Sequence, residues 1–322
     1  MRSFAFNMEN VVTGYLSAEG HVDRLVSELK GVVAVHDRLV FTSCPIQKVY
    51  WAQNIWLNPV VLNIASITDA ARQLKAIQGS WALFPTGLHR RALLIAEKLP
   101  RVPAPELVFP ASPPRSPLGS WTLLDTNVLV ASSQCTSTLP NGEVLFREDK
   151  VGPPSRAYLK LWEAWTVMGE RPQADEFCID AGGSPGGWCW AIQKLGAHVL
   201  SVDRSPLDKK IACLPGVEFQ KGSAFSLQPE DFDQVDWLFS DVICYPEKLY
   251  DWARRWVDSG VCRKMICTIK FQGEYDSKIV KKFAGIPNSR VVHLYNNKNE
   301  LTWMFKTETS EPPEQSDRDT AF

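Results

Sequence analysis

Two rhythms of apolar and polar positions run through the chain. Residues 11–16 (VVTGYL), 32–35 (VVAV) and 39–42 (LVFT) are short β-rich runs. Between the first two, residues 20–30 set Val22, Leu25, Val26 and Leu29 on one helical face. This spacing predicts a β-α-β beginning. The alternation continues with a strand at 59–65 (PVVLNIA), a helix at 68–77 (TDAARQLKAI), a strand at 80–85 (SWALFP) and a helix at 89–99 (HRRALLIAEKL). Residues 100–117 hold seven prolines and read as extended chain or loop. Residues 120–134 are strand-like, and Asn141-Gly142-Glu143 is the expected turn back into 144–148 (VLFRE).

A helix is predicted over 153–168, with Pro154 at its entry and Leu159, Trp162, Ala164 and Trp165 as a broad apolar stripe. Strands are expected at 177–179, 198–202, 217–220, 235–240, 264–269, 290–295 and 300–306, with helices between the earlier ones. Asn296-Asn297-Lys298-Asn299 joins the last two as a turn. The fold class is therefore α/β: a mostly parallel sheet with helices on both faces and one antiparallel strand at the C-terminal end. Residues 1–150 read as a smaller α/β region, one subdomain or two, and residues 151–306 as the main domain. Residues 307–322, with five acids against one Arg and almost no apolar side chain, read as a disordered acidic tail.

Composition narrows the classes. The 322 residues are 45% apolar and 22% charged, ordinary for a globular protein with room for two cores. No run of 18 apolar residues exists and the N-terminus lacks a signal-peptide h-region, so a cytoplasmic protein without a membrane partner is expected. The eight cysteines form no CxxC pair and several sit in strand-like runs, which favours buried thiols over disulfides or a metal site. Net charge is −1, and residues 151–306 balance 20 Lys/Arg against 19 Asp/Glu. Any surface for a polyanion must therefore be local.

The chemistry begins at residues 180–188, DAGGSPGGW. The strand ending at Asp180 runs into Gly182, Gly183, Ser184, Pro185, Gly186 and Gly187, a loop of small residues that lets a ligand approach the backbone at the carboxyl edge of the sheet. Trp188 stands where a P-loop needs Lys, and Gly182, Ser184 and Gly187 lack the GxGxxG spacing of a dinucleotide fingerprint. S-adenosylmethionine is the remaining ligand reading. Asp203, at the end of the second strand, suits a ribose; it suits NAD equally and does not choose between them.

Four polar residues stand at separated places. Asp241 ends the fourth strand (WLFSD), Lys270 ends the fifth (MICTIK), Glu300 opens the last, and Lys160 lies in the helix before the sheet between Leu159 and Leu161. A lysine that closes an apolar run is drawn inward, where its charge requires a partner or a task. Asp241, on the adjacent strand, is the natural partner. Singly, each has a plain alternative: helix capping for Asp241, snorkelling for Lys160, a strand-end surface acid for Glu300.

The stretches PPSRAYLKLWEA (153–164) and DAGGSPGGW (180–188), with the order SD(241), IK(270), NE(300), resemble the FtsJ/RrmJ-type ribose 2′-O-methyltransferases, and among them the RlmM-type branch. The resemblance covers residues 151–306, with weaker similarity before them. It implies a Rossmann-like methyltransferase sheet preceded by a THUMP-like, RNA-binding front. It further implies S-adenosyl-L-methionine as cofactor and RNA as partner, with a cytidine of large-subunit ribosomal RNA as target. Carried over by motif, Lys160, Asp241, Lys270 and Glu300 are a catalytic tetrad with Lys270 as base. Asp180, Gly182, Ser184, Pro185, Gly186, Gly187, Asp203, Ser223 and Asp241 line the cofactor. Two positions depart from the pattern: Ser223 stands where relatives place an acid near the adenine, and Ala157 where they place a polar residue.

A hydroxyl nucleophile needs a base, and a second ammonium beside a lysine eases loss of its proton. Two rivals to this reading are a non-catalytic RNA-binding or assembly protein on the same fold and an NAD-dependent oxidoreductase. The first predicts no need for polar residues in register at several strand ends. The second predicts a GxGxxG loop.

Overall fold

The computed structural model describes residues 10–103, 106–273 and 275–308. The acidic stretch 307–322 lies outside these residues apart from Thr307 and Glu308. The chain opens with β1 (Thr13–Ser17), α1 (Val22–Glu28), β2 (Val32–His36), β3 (Leu39–Thr42) and β4 (Ala52–Leu57). Asp37, at φ 53°, and Arg38 make a tight turn that folds β3 back on β2. β3 then slots between β2 and β1, antiparallel to both. The β-α-β beginning is thus a split one, in which β1 and β2 are not neighbours.

Next come β5 (Val60–Asn63), α2 (Ile67–Ile77), β6 (Trp81–Leu83), α3 (His89–Ala96), β7 (Gly119–Asp125), β8 (Val128–Ser132) and β9 (Gln134–Cys135). They complete a five-stranded sheet ordered β2-β3-β1-β4-β9 and build a four-stranded one ordered β5-β8-β7-β6. The run 120–134 is a hairpin and not one strand: Asp125 pairs with Val128, and its carboxylate accepts the Thr126 N–H at 2.6 Å. The turn expected at 141–143 is instead a 3-10 turn over Pro140–Gly142. Residues 144–148 form no strand; Phe146 makes one isolated bridge to Leu107.

The second half holds α4 (Tyr158–Met168), β10 (Phe177–Ala181), α5 (Gly187–Gln193), β11 (His198–Asp203), α6 (Lys209–Ala212), β12 (Val217–Lys221), β13 (Val235–Ser240), α7 (Pro246–Ser259), β14 (Cys262–Lys270), α8 (Ser277–Ala284), β15 (Ser289–Val292) and β16 (Glu300–Lys306). The sheet order is β12-β11-β10-β13-β14-β16-β15, parallel except for β16, which runs antiparallel to both its neighbours. α4 starts at Tyr158, five residues later than expected. Consecutive Pro153 and Pro154 keep the chain out of helix there, because a proline pushes the residue before it away from the α region.

Both faces of this sheet are covered, so its central strands read as continuous apolar runs. α4 and α5 cover one face. Phe109 of the proline-rich connector stacks on Trp162 of α4, with ring centroids 4.6 Å apart and planes 5° apart. On the other face, Trp252, Trp256, Phe283 and Trp303 share one core with Tyr15, Leu25 and Trp51 from the first sheet and α1. Because that core is continuous, we expect the first sheet and the seven-stranded sheet to unfold in one cooperative transition in urea. Trp51→Ala should cost about 3–5 kcal/mol, the usual loss for a fully buried large aromatic. Two separated transitions, or a variant as stable as the parent, would contradict the shared core.

Candidate active site

The sheet register builds the site. The chain leaves β10 toward β11 and β12, then returns to the opposite side of β10 as β13 and β14. A crevice opens where the strand order reverses. Ala181 of β10 is level with Ser240 of β13, so the glycine loop and Asp241 emerge side by side. Ser240 is level with Cys267, which puts Thr268 beside Asp241. Lys270 and Glu300 are direct partners across β14 and β16. α4 lays Lys160 across this edge.

The four charged side chains meet. Lys160 Nζ lies 3.0 Å from Asp241 Oδ1 and 2.6 Å from Glu300 Oε1. Lys270 Nζ is 3.0 Å from the same Oδ1 and donates to the Asp241 carbonyl at 2.6 Å. The Thr268 hydroxyl donates to Oδ1 as well, at 2.6 Å. Burial works against the charged form of Lys160, but the carboxylates of Asp241 and Glu300 outweigh it and raise the lysine above its ordinary value. Burial likewise opposes ionised Asp241, and the Lys160 and Lys270 ammoniums with the Thr268 hydroxyl outweigh that, holding the acid below its ordinary value. Thr268 was absent from the sequence reading. Its signal was available: two residues before Lys270, it shares that side chain's face of the strand.

Beside this cluster, the glycine loop closes on its own support. Gly182 has φ +90°, and a Cβ there would collide with Val242 Cγ2. At Gly183 a Cβ would press on Ser201 Oγ and Asp180 Oδ2. Gly186, at φ +112°, seats against Ile211, and Gly187 opens α5 against Ser155. Pro185 precedes them, and its carbonyl accepts the Asp208 N–H. The Asp203 carboxylate ties the loop to β11 by accepting the Ser184 N–H at 3.1 Å and the Ser205 N–H at 2.8 Å. Gly182, Asp203 and Ser223 border a cavity of about 400 Å³ walled also by Phe225, Val242 and Tyr245. The Ala157 carbonyl accepts the Trp188 indole N–H at 2.9 Å, and its N–H donates to Ser155 Oγ at 3.4 Å.

Asp180 differs from the other loop residues. It is buried beneath the loop, not on the cavity wall. One oxygen accepts the Cys189 thiol at 3.0 Å; the other has no hydrogen-bond partner among the described residues. Burial is the main cause that pushes it up to about 7.

Comparison with known proteins now bears on this geometry. Residues 153–300 match the FtsJ-like methyltransferase family. Two proteins named "Ribosomal RNA large subunit methyltransferase M" are similar to this chain. One, from Halorhodospira halophila, is 31% identical over 46% of this chain and 46% of its own length. The other, from Thauera aminoaromatica, is 30% identical over 52% of this chain and 50% of its own. The chain thus spans about half the length of these relatives. The α/β fold and the FtsJ resemblance drawn from the motifs hold over the matched stretch, which contains Lys160, the glycine loop, Asp203, Ser223, Asp241, Lys270 and Glu300.

The FtsJ-like segment does not build its edge alone. α1 of the first half reaches it. The His21 and His293 rings both bond the Lys298 carbonyl through Nε2, at 2.9 and 3.1 Å. The Arg24 guanidinium sits 4.6 Å from the Trp51 ring centroid and 5.4 Å from that of Phe271, the residue after Lys270. Glu28 accepts from the Tyr275 hydroxyl and the Tyr50 N–H. None of these was singled out in the sequence, where they lie far apart and carry no shared motif. Among the described residues no helix is long and apolar enough to cross a membrane, and the eight cysteines are free.

Asp180 makes the stability of this sheet depend on pH. Its folded value, about 7, exceeds the ordinary 3.8. Between those values the folded protein holds more protons than the unfolded chain, so this group's contribution to stability falls as pH rises. Asp180→Asn removes that fall. Its melting temperature should therefore gain on the parent's as pH goes from about 5 to about 8. A difference that is constant across this range would contradict the assignment.

Proposed function

We propose that this protein is an S-adenosylmethionine-dependent ribose 2′-O-methyltransferase of RNA, with a cytidine of large-subunit ribosomal RNA as its target. The observation that carries the reading is the meeting of Lys160, Asp241, Lys270 and Glu300 beside the glycine loop. The family match and the relatives' names support the reaction class and the ribosomal substrate. The cytidine follows the motif resemblance alone.

Residues suited to hold the cofactor are present. Gly182, Gly186 and Gly187 offer bare backbone, where added Cβ atoms would press on Val242, Ile211 and Ser155, and Ser184 and Pro185 complete the loop. Asp203, Ser223 and Asp241 flank it, and Asp180 supports it from below. When bound, S-adenosylmethionine supplies an electrophilic methyl group. The chain's task is then to orient a 2′-hydroxyl and take its proton. Lys160, held as a cation by two carboxylates, is unsuited to accept a proton. Lys270 is the remaining amine and takes the part of base. Asp241 orients both amines, and Glu300 fixes Lys160. Only RNA carries the 2′-hydroxyl, so the chemistry itself excludes DNA. We assign RNA capture to the first 150 residues, whose α1 meets the site.

Lys270→Ala is the direct test. Asp241 keeps Lys160 and Thr268 as partners in this variant, so the fold should survive. Turnover should fall by about 10²–10⁴, the range for loss of a general base. Affinity for S-adenosylhomocysteine, measured by titration calorimetry, should stay within about threefold, less than 1 kcal/mol. Equal losses in both would move Lys270 into binding or folding.

A further inference from the structure

Glu163 lies one turn along α4 from Lys160 and is 3% exposed. It has no salt-bridge partner among the described residues. Its oxygens accept three N–H groups instead: the Tyr295 N–H at 2.6 Å, the Asn296 N–H at 2.8 Å and the Asn296 side-chain amide at 2.7 Å. Burial pushes its carboxyl up to about 7. A buried carboxylate without a cation costs stability that a well-packed apolar side chain would not. Packing alone does not account for it.

The residues it grips lead directly into the site. Residues 295 and 296 lie in the short connection between Val292 and Glu300. The Asn297 N–H closes a turn on Leu294 at 3.0 Å, and the Asn297 side chain bonds Thr302. The Lys298 carbonyl is held by His21 and His293. At the far end Glu300 meets Lys160. Residues three apart share one face of a helix, so α4 holds this connection at both ends: Glu163 at 295–296 and Lys160 at 300.

We infer that Glu163 is a positioning residue for the methyl-transfer site, setting Glu300 against Lys160 through its grip on Tyr295 and Asn296. The inference rests on the reaction proposed above for its consequence in turnover, but not for its geometry. Glutamine at this position keeps the shape, loses one acceptor, and turns an N–H₂ group toward backbone N–H donors.

The experiment is a double-mutant cycle with Glu163→Gln and Glu300→Gln, read in two ways on the full chain. In thermal melting, the double variant should lose less than the sum of the single losses, because both act on one connection. In methyl transfer to unmodified large-subunit RNA, Glu163→Gln should lower kcat roughly 10- to 100-fold, the scale of a misplaced catalytic group. Its affinity for S-adenosylhomocysteine should be unchanged. Additive melting losses, or an unchanged kcat, would overturn the inference. Should Glu163→Gln fail to fold, Asn296→Ala, which removes only the side-chain bond, enters the same cycle under the same criteria. A parent protein that transfers no methyl group sinks the proposed reaction, while the melting cycle still decides the role of Glu163.

Discussion

One carboxylate oxygen organises the carboxyl edge of the sheet. Asp241 Oδ1 receives the Lys160 ammonium, the Lys270 ammonium and the Thr268 hydroxyl within 3.0 Å. With Glu300 the cluster holds two cations and two anions, so it can leave water without a net charge. Pairs of this kind add little stability, because desolvation offsets most of their attraction. Their effect is conformational: removing one member strands another, which ties three strands and α4 into one arrangement. The sign of the shifts sets the pH window. Asp241, held below 3.8, contributes stability above that value and loses it as pH falls further. Lys160, raised above 10.5, contributes below that value and loses it only at higher pH. Between the two, Asp241 and Lys160 both keep their charges.

The edge so fixed is shared by both halves of the chain. Arg24 packs its planar cation over Trp51, Phe271 and Tyr275. Such contacts suit arginine, whose guanidinium is weakly hydrated and stacks on rings. One guanidinium nitrogen is buried with no hydrogen-bond partner among the described residues, so the rings are its main company there. Phe271 follows Lys270 in the chain, and the Lys298 carbonyl bonded by His21 precedes Glu300 by two residues. The first half therefore touches the flanks of two of the four charged residues. A substrate held by that half would meet a site whose position is already defined relative to it.

Much of this was legible because it is periodic or local. The parallel sheet showed in repeated apolar runs each closing on a polar residue, and the strand-end positions of Asp241, Lys270 and Glu300 followed from them. The glycine loop was visible because close backbone approach requires missing side chains. The first half was harder. β4 escaped notice because its inward positions are Asn54 and Trp56, and a buried asparagine breaks the apolar alternation. The hairpin at 125–128 was hidden inside a run that is strand-like throughout, while the Asn-Gly pair at 141–142 advertised a turn elsewhere. Pro154 suggests a helix entry, whereas the chain turns through Ser155, Arg156 and Ala157 before the helix begins at Tyr158. Glu163 sat unremarked in LKLWEA because its partners lie more than 130 residues away.

The reaction proposed for this edge is methyl transfer to a ribose 2′-oxygen. The most direct measurement incubates the protein with methyl-labelled S-adenosylmethionine and unmodified large-subunit ribosomal RNA, then hydrolyses the RNA in alkali. Alkali cleaves through the free 2′-hydroxyl, so a methylated ribose blocks cleavage at its own position. The account predicts label confined to alkali-resistant dinucleotides. Label recovered in mononucleotides, on a base, or none in RNA at all would contradict it.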